Sequence, residues 1–220
     1  MKKISTLFVS LTLLLGFAVQ AKAGLILDFT GGITTTETGD NTYGWSFSVS
    51  SPITVSALGF WDEASHTLAY SHQVGLWNSS QTLLASTTIT SSSTPVSSVS
   101  GEGQWLFNTL STPVTLQAGT YVIGANYNDD STDLIRAKTD SPITASGVTY
   151  IKSLYVLNTG FSIPTENVDY SYNSYFGPNL EATSAASVPE PGTLVLASMG
   201  FLGLAGCHWL RKKRESAKLY

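Results

Sequence analysis

The fold is decided by a stretch in which apolar and polar residues alternate, Trp45-Ser46-Phe47-Ser48-Val49-Ser50. Successive side chains of a β-strand point to opposite faces, so this alternation predicts a strand with one buried and one solvated face. The same period of two continues in Ile53-Thr54-Val55-Ser56-Ala57. Ser51 and Pro52 separate the two runs and indicate a turn. This part of the chain therefore predicts two consecutive strands.

Similar patterns recur along the chain. They predict further strands over residues 73–77, 82–89, 104–107, 120–127 and 148–156. Turn residues separate these strands, including Thr112-Pro113, Ala118-Gly119 and Ser141-Pro142, and the Ser/Thr-rich residues 91–95 predict a polar loop between sheets. No stretch of 12 residues in the body has a capped, helical apolar stripe. We therefore expect an all-β fold, with a single β-sandwich or jelly-roll-like domain over residues 24–181.

The charge of the chain is distributed unevenly. The formal net charge of the 220 residues is −4, but residues 24–187 hold three basic residues and 13 acidic ones, which makes this body −10. A body this acidic lacks the basic surface that nucleic acid requires, so nucleic acid is excluded as a partner. Hydrophobic residues make up 42% of the chain and are spread through the body, which favours a packed domain over a disordered one.

The N-terminus has the three parts of a secretory signal peptide. Lys2 and Lys3 form the basic region, residues 4–19 are mainly apolar, and the small residues Ala21 and Ala23 precede Gly24 as a cleavage site. We expect residues 1–23 to engage the secretion translocon and to be removed by signal peptidase. An uncleaved N-terminal anchor is the alternative, which the short apolar run and the cleavage-type site disfavour.

Three features follow one another at the C-terminus. Val188-Pro189-Glu190-Pro191 lies in a predicted linker over residues 182–192, residues 193–210 carry no charge, and Arg211-Lys212-Lys213-Arg214 begins a basic tail over residues 211–220. At about 1.5 Å for each residue, a helix over the uncharged segment spans about 27 Å, enough for the hydrocarbon core of a bilayer. The basic cluster should stay cytoplasmic, which leaves the body on the periplasmic side.

This C-terminal arrangement resembles the PEP-CTERM sorting signal over residues 188–214. The resemblance implies export by a Gram-negative bacterium and recognition of Pro189, Glu190 and Pro191 by exosortase, a membrane-embedded cysteine transpeptidase that cuts near this motif. It also implies a setting of extracellular polysaccharide and biofilm, and hence a cell-surface or extracellular location. Residues 215–220 depart from the family pattern, which usually ends soon after the basic cluster. An ordinary membrane anchor that is never cut is the alternative.

The body resembles a second family. Two blocks carry the resemblance. The first comprises Leu58-Gly59-Phe60-Trp61-Asp62, Leu68-Ala69, Ser71-His72-Gln73-Val74-Gly75-Leu76-Trp77 and Leu83-Leu84-Ala85-Ser86, and the second is Pro113-Val114-Thr115-Leu116-Gln117-Ala118-Gly119-Thr120-Tyr121-Val122-Ile123-Gly124. They are similar to an uncharacterised β-sandwich domain of secreted bacterial proteins. This family has no established activity, so the resemblance implies the fold alone.

Residues for catalysis are scarce. Cys207 is the sole cysteine and lies in the apolar C-terminal segment, so the exported body has neither a disulfide nor a thiol nucleophile. His66 and His72 are predicted to be loop or structural residues rather than zinc ligands. There is no Gly-x-Ser-x-Gly elbow and no phosphate-binding glycine loop. We expect a non-enzymatic surface or matrix protein without a cofactor; a secreted hydrolase is a disfavoured alternative.

One acidic segment is a candidate calcium site. Oxygen-bearing side chains at Asn128, Asp130 and Asp133 follow a predicted strand, and Ca²⁺ prefers oxygen ligands. The segment lacks the glycine and the distal glutamate of an EF-hand loop. A solvated turn is the favoured alternative.

One aromatic segment is a candidate sugar-binding surface. Tyr170, Tyr172 and Tyr175 alternate with polar residues, and exposed rings on a β-sandwich can stack on sugar faces. The segment suggests a carbohydrate-binding module on the same fold as an alternative function. The tryptophans of the body are expected to pack in the core instead.

Overall fold

The computed structural model describes residues 23–36, 39–128, 132–139, 142–157, 159–168 and 174–184. The predicted signal peptide, apolar segment, basic tail and Pro-Glu-Pro motif lie outside these residues. Within the described ranges the chain forms β-strands joined by turns and loops, which confirms the predicted all-β class. None of the described residues belongs to a helix of the length and apolar character needed to cross a membrane.

The strands of the described residues are short at the ends of the body and long in its middle. In chain order they are β1 (Gly24–Leu25), β2 (Leu27–Asp28), β3 (Ile33–Thr36), β4 (Asn41–Val49), β5 (Ile53–Glu63), β6 (His72–Asn78), β7 (Leu83–Ile89), β8 (Thr94–Ser97), β9 (Gly103–Leu116), β10 (Gly119–Tyr127), β11 (Leu134–Ala137), β12 (Ile143–Thr144), β13 (Val148–Val156), β14 (Glu166–Asn167), β15 (Tyr175–Phe176) and β16 (Pro178–Ser184).

Two antiparallel sheets contain most of these strands. Sheet A has the order β1-β16-β5-β9-β8, and sheet B has the order β14-β13-β4-β10-β6-β7. Smaller sheets, β15-β11-β3 and β12-β2, complete the described body. Sequence neighbours such as β4 and β5 belong to different sheets, so the chain crosses repeatedly between the two layers, as the predicted sandwich requires.

The hydrophobic core lies between the two sheets and is rich in aromatic rings. Phe60 of sheet A stacks on His72 of sheet B, with ring centroids 4.0 Å apart, and lies 5.3 Å from the ring of Tyr127. Trp45 of sheet B is fully buried and donates its indole N–H to the carbonyl oxygen of Pro178 in sheet A, at 2.8 Å. These contacts join the layers, and the predicted core placement of Trp45 is confirmed.

Part of the polar face of β4 is buried, contrary to the expected solvated face, whereas Ser48 is half-buried and Ser50 is exposed. Ser46 is 4% exposed and Thr42 is fully buried. Residues 159–165, which we call the cover segment, account for this burial because they bond to the strand: Thr42 Oγ1 donates to the Gly160 carbonyl oxygen at 2.8 Å, and the Ser162 N–H donates to Thr42 Oγ1 at 3.3 Å. Alternation located the strand correctly, but it could not show what covers the second face.

Three predicted boundaries are wrong. Strand β9 continues through Thr112-Pro113, which were predicted to form a turn, because Val114 pairs with Val55 and Thr115 with Thr54 of β5. Part of the predicted loop at residues 91–95 belongs to β8, which pairs with β9. Strand β16 extends to Ser184, into the predicted linker, because its last residues pair with the start of β5. In each case a neighbouring strand supplies hydrogen bonds that local residue preferences do not reveal.

Candidate functional site

Asp133 joins three parts of the chain through a buried carboxylate. Its side chain is 1% exposed, Oδ1 accepts the Ala69 N–H at 2.7 Å, and Oδ2 accepts the Tyr70 N–H at 2.8 Å. The fully buried His72 places Nε2 at 3.0 Å from Oδ2 and Nδ1 at 2.8 Å from the Asn126 carbonyl oxygen. Both ring nitrogens therefore face oxygen atoms inside the protein.

Competing effects act on the Asp133 carboxyl. Burial by itself raises the pKa of Asp133, but the hydrogen bonds from His72 and from the Ala69 and Tyr70 N–H groups outweigh burial, so the pKa is lowered from its ordinary value of 3.8. The carboxylate is therefore held in its charged form inside the protein, where it connects β6 to the segment before β11.

Asp133 is not placed as the candidate calcium site would require of it. Both of its oxygens accept hydrogen bonds inside the protein, so they are not presented to an external cation. Asn128 is exposed, and Asp130 lies outside the described residues. In the described part of the chain, no group of three or more His, Cys, Asp or Glu residues is placed to hold a metal ion. The spacing of oxygen-bearing side chains was a misleading signal, because the fold buries one of the three.

The two histidines of the body both approach Asp133. His72 makes the short buried contact, while His66 is 43% exposed and places Nδ1 4.0 Å from Asp133 Oδ1. The predicted structural role of His72 is confirmed by its burial and hydrogen bonds. Sequence reasoning did not find the partner, because Asp133 lies 61 residues away from His72.

The acid stability of the body should depend on Asp133. Because the pKa is lower in the folded than in the unfolded chain, ionised Asp133 contributes stability above about pH 4, and this contribution is lost as the pH falls through the folded value. We expect the urea midpoint, followed by tryptophan fluorescence from pH 7 to pH 2, to fall more steeply below about pH 4 in the wild type than in Asp133→Asn. Identical acid slopes in the two proteins would contradict this assignment.

The structure corrects the tyrosine candidate at one position. Tyr175 is 9% exposed, and its ring stacks on Tyr43 with centroids 5.6 Å apart. Its backbone N–H donates to Ser153 Oγ at 2.8 Å. Its ring is therefore part of the buried aromatic packing and is not available to stack on a sugar. Tyr170 and Tyr172 lie outside the described residues.

A cleft of about 360 Å³ lies beside Asp62 and Glu63, at one end of β5. Each of the two acids is 6% exposed and bonded inside the protein. Asp62 accepts the Leu68 N–H and Gln104 Nε2–H, both at 2.8 Å, while Glu63 accepts Trp61 Nε1–H at 3.0 Å and lies 3.5 Å from Arg136 Nη1. Their internal bonds give these carboxylates a structural role, and they do not form the free acid–base pair that glycoside hydrolysis needs.

A groove of about 370 Å³ lies on the outer face of sheet B, the face turned away from the core. Ser46 and Val122, from the central strands β4 and β10, contribute to its lining. Further lining residues come from β13 on one side, from the turn between β6 and β7 on the other, and from the end of the cover segment. Its volume lies toward the lower end of the range of about 300–1,000 Å³ that is typical of ligand pockets.

Two glycines in a row of three make room for the cover segment beside this groove. Gly124 of β10 pairs with Gly44 of β4 on one side and with Gly75 of β6 on the other. A Cβ atom at Gly124 would lie 2.9 Å from Cδ of Pro164, and one at Gly75 would lie 2.6 Å from Cζ of Phe161. Gly75 and Gly124, in the adjacent strands β6 and β10, therefore allow the cover segment to lie close against the sheet.

The groove was not found from the sequence. Its lining residues are spread over positions 46–165 and come together only when β13, β4, β10 and β6 form one sheet. A signal was present nonetheless, because glycine is disfavoured inside strands and often marks a close approach of another backbone or a ligand. Gly44, Gly75 and Gly124 each lie within or beside a predicted strand.

Comparisons with known families match two parts of the chain. A domain of unknown function (DUF4082) matches residues 30–177, and the PEP-CTERM protein-sorting motif matches residues 187–212. The first match spans the groove and most of both sheets; the second contains the Val-Pro-Glu-Pro sequence. No curated protein and no solved structure gives a significant match.

Proposed function

The chain belongs to the DUF4082 family, a domain of unknown function, and on this premise we propose that it is a non-enzymatic cell-surface or extracellular-matrix protein associated with exopolysaccharide. The PEP-CTERM motif makes it an exported protein of the class processed by exosortase-type machinery, with a membrane-anchored stage in transit. In our proposal the body faces the periplasm during this stage and reaches the cell surface after the tail is cut.

The sorting motif is the observation that carries this proposal. Its match begins at residue 187, shortly after β16 ends at Ser184, and reaches residue 212 in the basic cluster. A protein that needs only an anchor has no use for Pro189, Glu190 and Pro191 at the outer edge of the apolar segment. The motif therefore favours removal of the tail over permanent anchoring.

The chemistry of the described body supports a role without catalysis. The carboxylates of Asp62, Glu63 and Asp133 and both ring nitrogens of His72 are used in internal hydrogen bonds. These internal bonds hold strands and loops of the sandwich together. A carbohydrate-binding module is the second candidate function, and the groove on the outer face of sheet B is the observation that favours it.

Mass spectrometry of the mature protein tests the sorting proposal. We expect surface material to lack residues 211–220, and Glu190→Gln to accumulate uncut in the membrane fraction because the recognition motif has lost its charge. Glu215→Gln, which removes a charge beyond the basic cluster, is the matched control and should be processed normally. Wild-type surface protein that still carries residues 211–220 would contradict processing.

A further inference from the structure

We propose that the groove on the outer face of sheet B binds an acidic sugar unit of an extracellular polysaccharide, with the ammonium group of Lys152 contacting the sugar carboxylate. This inference rests on the proposed association with exopolysaccharide and names the site and the ligand chemistry. It is carried by the charge of the groove, by its mixed lining and by two unusual backbone positions beside it.

Lys152 gives the groove a charge opposite to that of the body. Of the residues that the structure describes, no acidic one lines the groove, whereas the body as a whole carries −10. Among the described residues, no carboxylate lies within 4.0 Å of the Lys152 ammonium; this includes Glu166, which directly follows the lining residue Thr165. The acidic body repels anions in general. We therefore expect an anionic polysaccharide to bind where a lysine ammonium group has no carboxylate of the protein competing for it.

The rest of the lining suits a sugar ring. Apolar side chains of Val122, Ile151 and Leu154 lie beside hydroxyl groups of Ser46 and Thr120. A sugar combines apolar ring faces with hydroxyl groups, and therefore needs both kinds of contact within a short distance. A lipid chain would instead cover the exposed Thr120 hydroxyl group without offering it a partner.

A β-bulge turns two consecutive side chains of β13 toward the groove. Tyr150 pairs with Phe47 and Lys152 pairs with Ser46, so Ile151 is an extra residue on this strand. In a regular strand, neighbouring residues point to opposite faces, but Ile151 and Lys152 both line the groove. Bulges occur often beside active sites, where they redirect a side chain. The bulge in β13 brings the cationic Lys152 beside the apolar Ile151 in the lining of the groove.

Gln81 provides the second unusual backbone position. It lies in the turn between β6 and β7 with a φ angle of 63°, in the left-handed region that favours glycine. Gln81 also lines the groove. A glycine would adopt this backbone angle without strain but would remove the amide group. The retained strain is explained if the amide hydrogen-bonds to a ligand.

Calorimetric titration of the mature exported protein tests the proposal. The probes are tetragalacturonate and its fully methyl-esterified form, which has the same rings without the negative charges. We expect the acid to bind about tenfold or more tightly than the ester, because a charge-assisted hydrogen bond is lost in the ester. Lys152→Gln should remove this preference, whereas Lys138→Gln, at another exposed lysine, should retain it.

A second variant separates binding from folding. Gln81→Gly should keep or raise the melting temperature, because it relieves the backbone angle, while weakening binding of tetragalacturonate. The proposal is overturned if neither probe binds, if acid and ester bind equally, or if Lys138→Gln lowers affinity as much as Lys152→Gln.

Cell fractionation distinguishes failure of the groove assignment from failure of the proposed function. If the wild-type protein and Lys152→Gln both co-fractionate with the cell's polysaccharide, and the wild type binds neither probe, the groove assignment fails and the surface role stands. If the wild type prefers tetragalacturonate but does not co-fractionate with polysaccharide, the proposed association fails and the groove assignment stands.

Discussion

Asp133→Asn is expected to destabilise the folded body by about 3 kcal/mol, which corresponds to a fall in melting temperature of about 6–12 °C for a domain of this size. The carboxylate accepts hydrogen bonds from Ala69, Tyr70 and His72, whereas an amide group has one oxygen and presents N–H donors toward groups that are themselves donors. The His72 ring is fully buried, so water cannot replace the contact that its Nε2 makes with the carboxylate.

The measurement is urea unfolding at pH 7, followed by tryptophan fluorescence. Glu166→Gln is the matched control, because Glu166 is an exposed acid, and it should change stability by no more than about 0.5 kcal/mol. A change at Asp133 as small as that of the control would show that the buried pair contributes little to folding.

Gly44→Ala is expected to have the largest effect, with a loss of more than about 4 kcal/mol or failure to fold. A Cβ atom here would overlap the carbonyl oxygen of Ile123 and lie 2.7 Å from Cα of Gly124. Both are backbone atoms of β10, which is held on one side by β4 and on the other by β6. The clash therefore cannot be relieved by rotating a side chain, and the central pairing of sheet B must open.

The yield of folded protein and its circular dichroism spectrum measure this effect. Gly24→Ala is the control, because a Cβ atom at Gly24 has no neighbour within 4 Å, and it should retain the wild-type spectrum and melting temperature. Wild-type stability in Gly44→Ala would mean that β4 and β10 can separate at little cost.

The central strands were predictable because their signal is local. Trp45, Phe47 and Val49 point to one side of a strand whatever the rest of the chain does, and the core of any sandwich must take up that side. Two neighbouring layers with apolar inner faces follow from several such strands. The predicted class and most long strands are therefore confirmed.

The peripheral strands were harder to predict because their stability comes from their partners. Residues 182–184 are small and polar and resemble a linker, yet they pair with β5 and extend β16. Pro113 looks like a turn residue, but it lies in a part of β9 that β8 does not cover, where a missing N–H is tolerated.

The candidate sites divide in the same way, into those that contiguous residues reveal and those that depend on tertiary packing. The sorting motif is a contiguous stretch of sequence, so its residues could be identified directly. The calcium and tyrosine candidates were also chosen by spacing along the chain, but burial depends on tertiary packing, which uses Asp133 for His72 and Tyr175 for the aromatic core. Conversely, no local sequence pattern marks Lys152 as a site residue, because the groove forms only where β13 lies next to β4.

By itself, the sequence determined the class of the fold, the central strands, the acidity of the body and the sorting motif, because each depends on residues close together in the chain. The tertiary structure decided which polar groups are buried and which are available to a ligand. Lys152, Gln81 and Val122 form one groove because distant strands become neighbours in sheet B. Neighbours in a sheet are selected by hydrogen bonding and burial over the whole domain, and no local pattern contains that information.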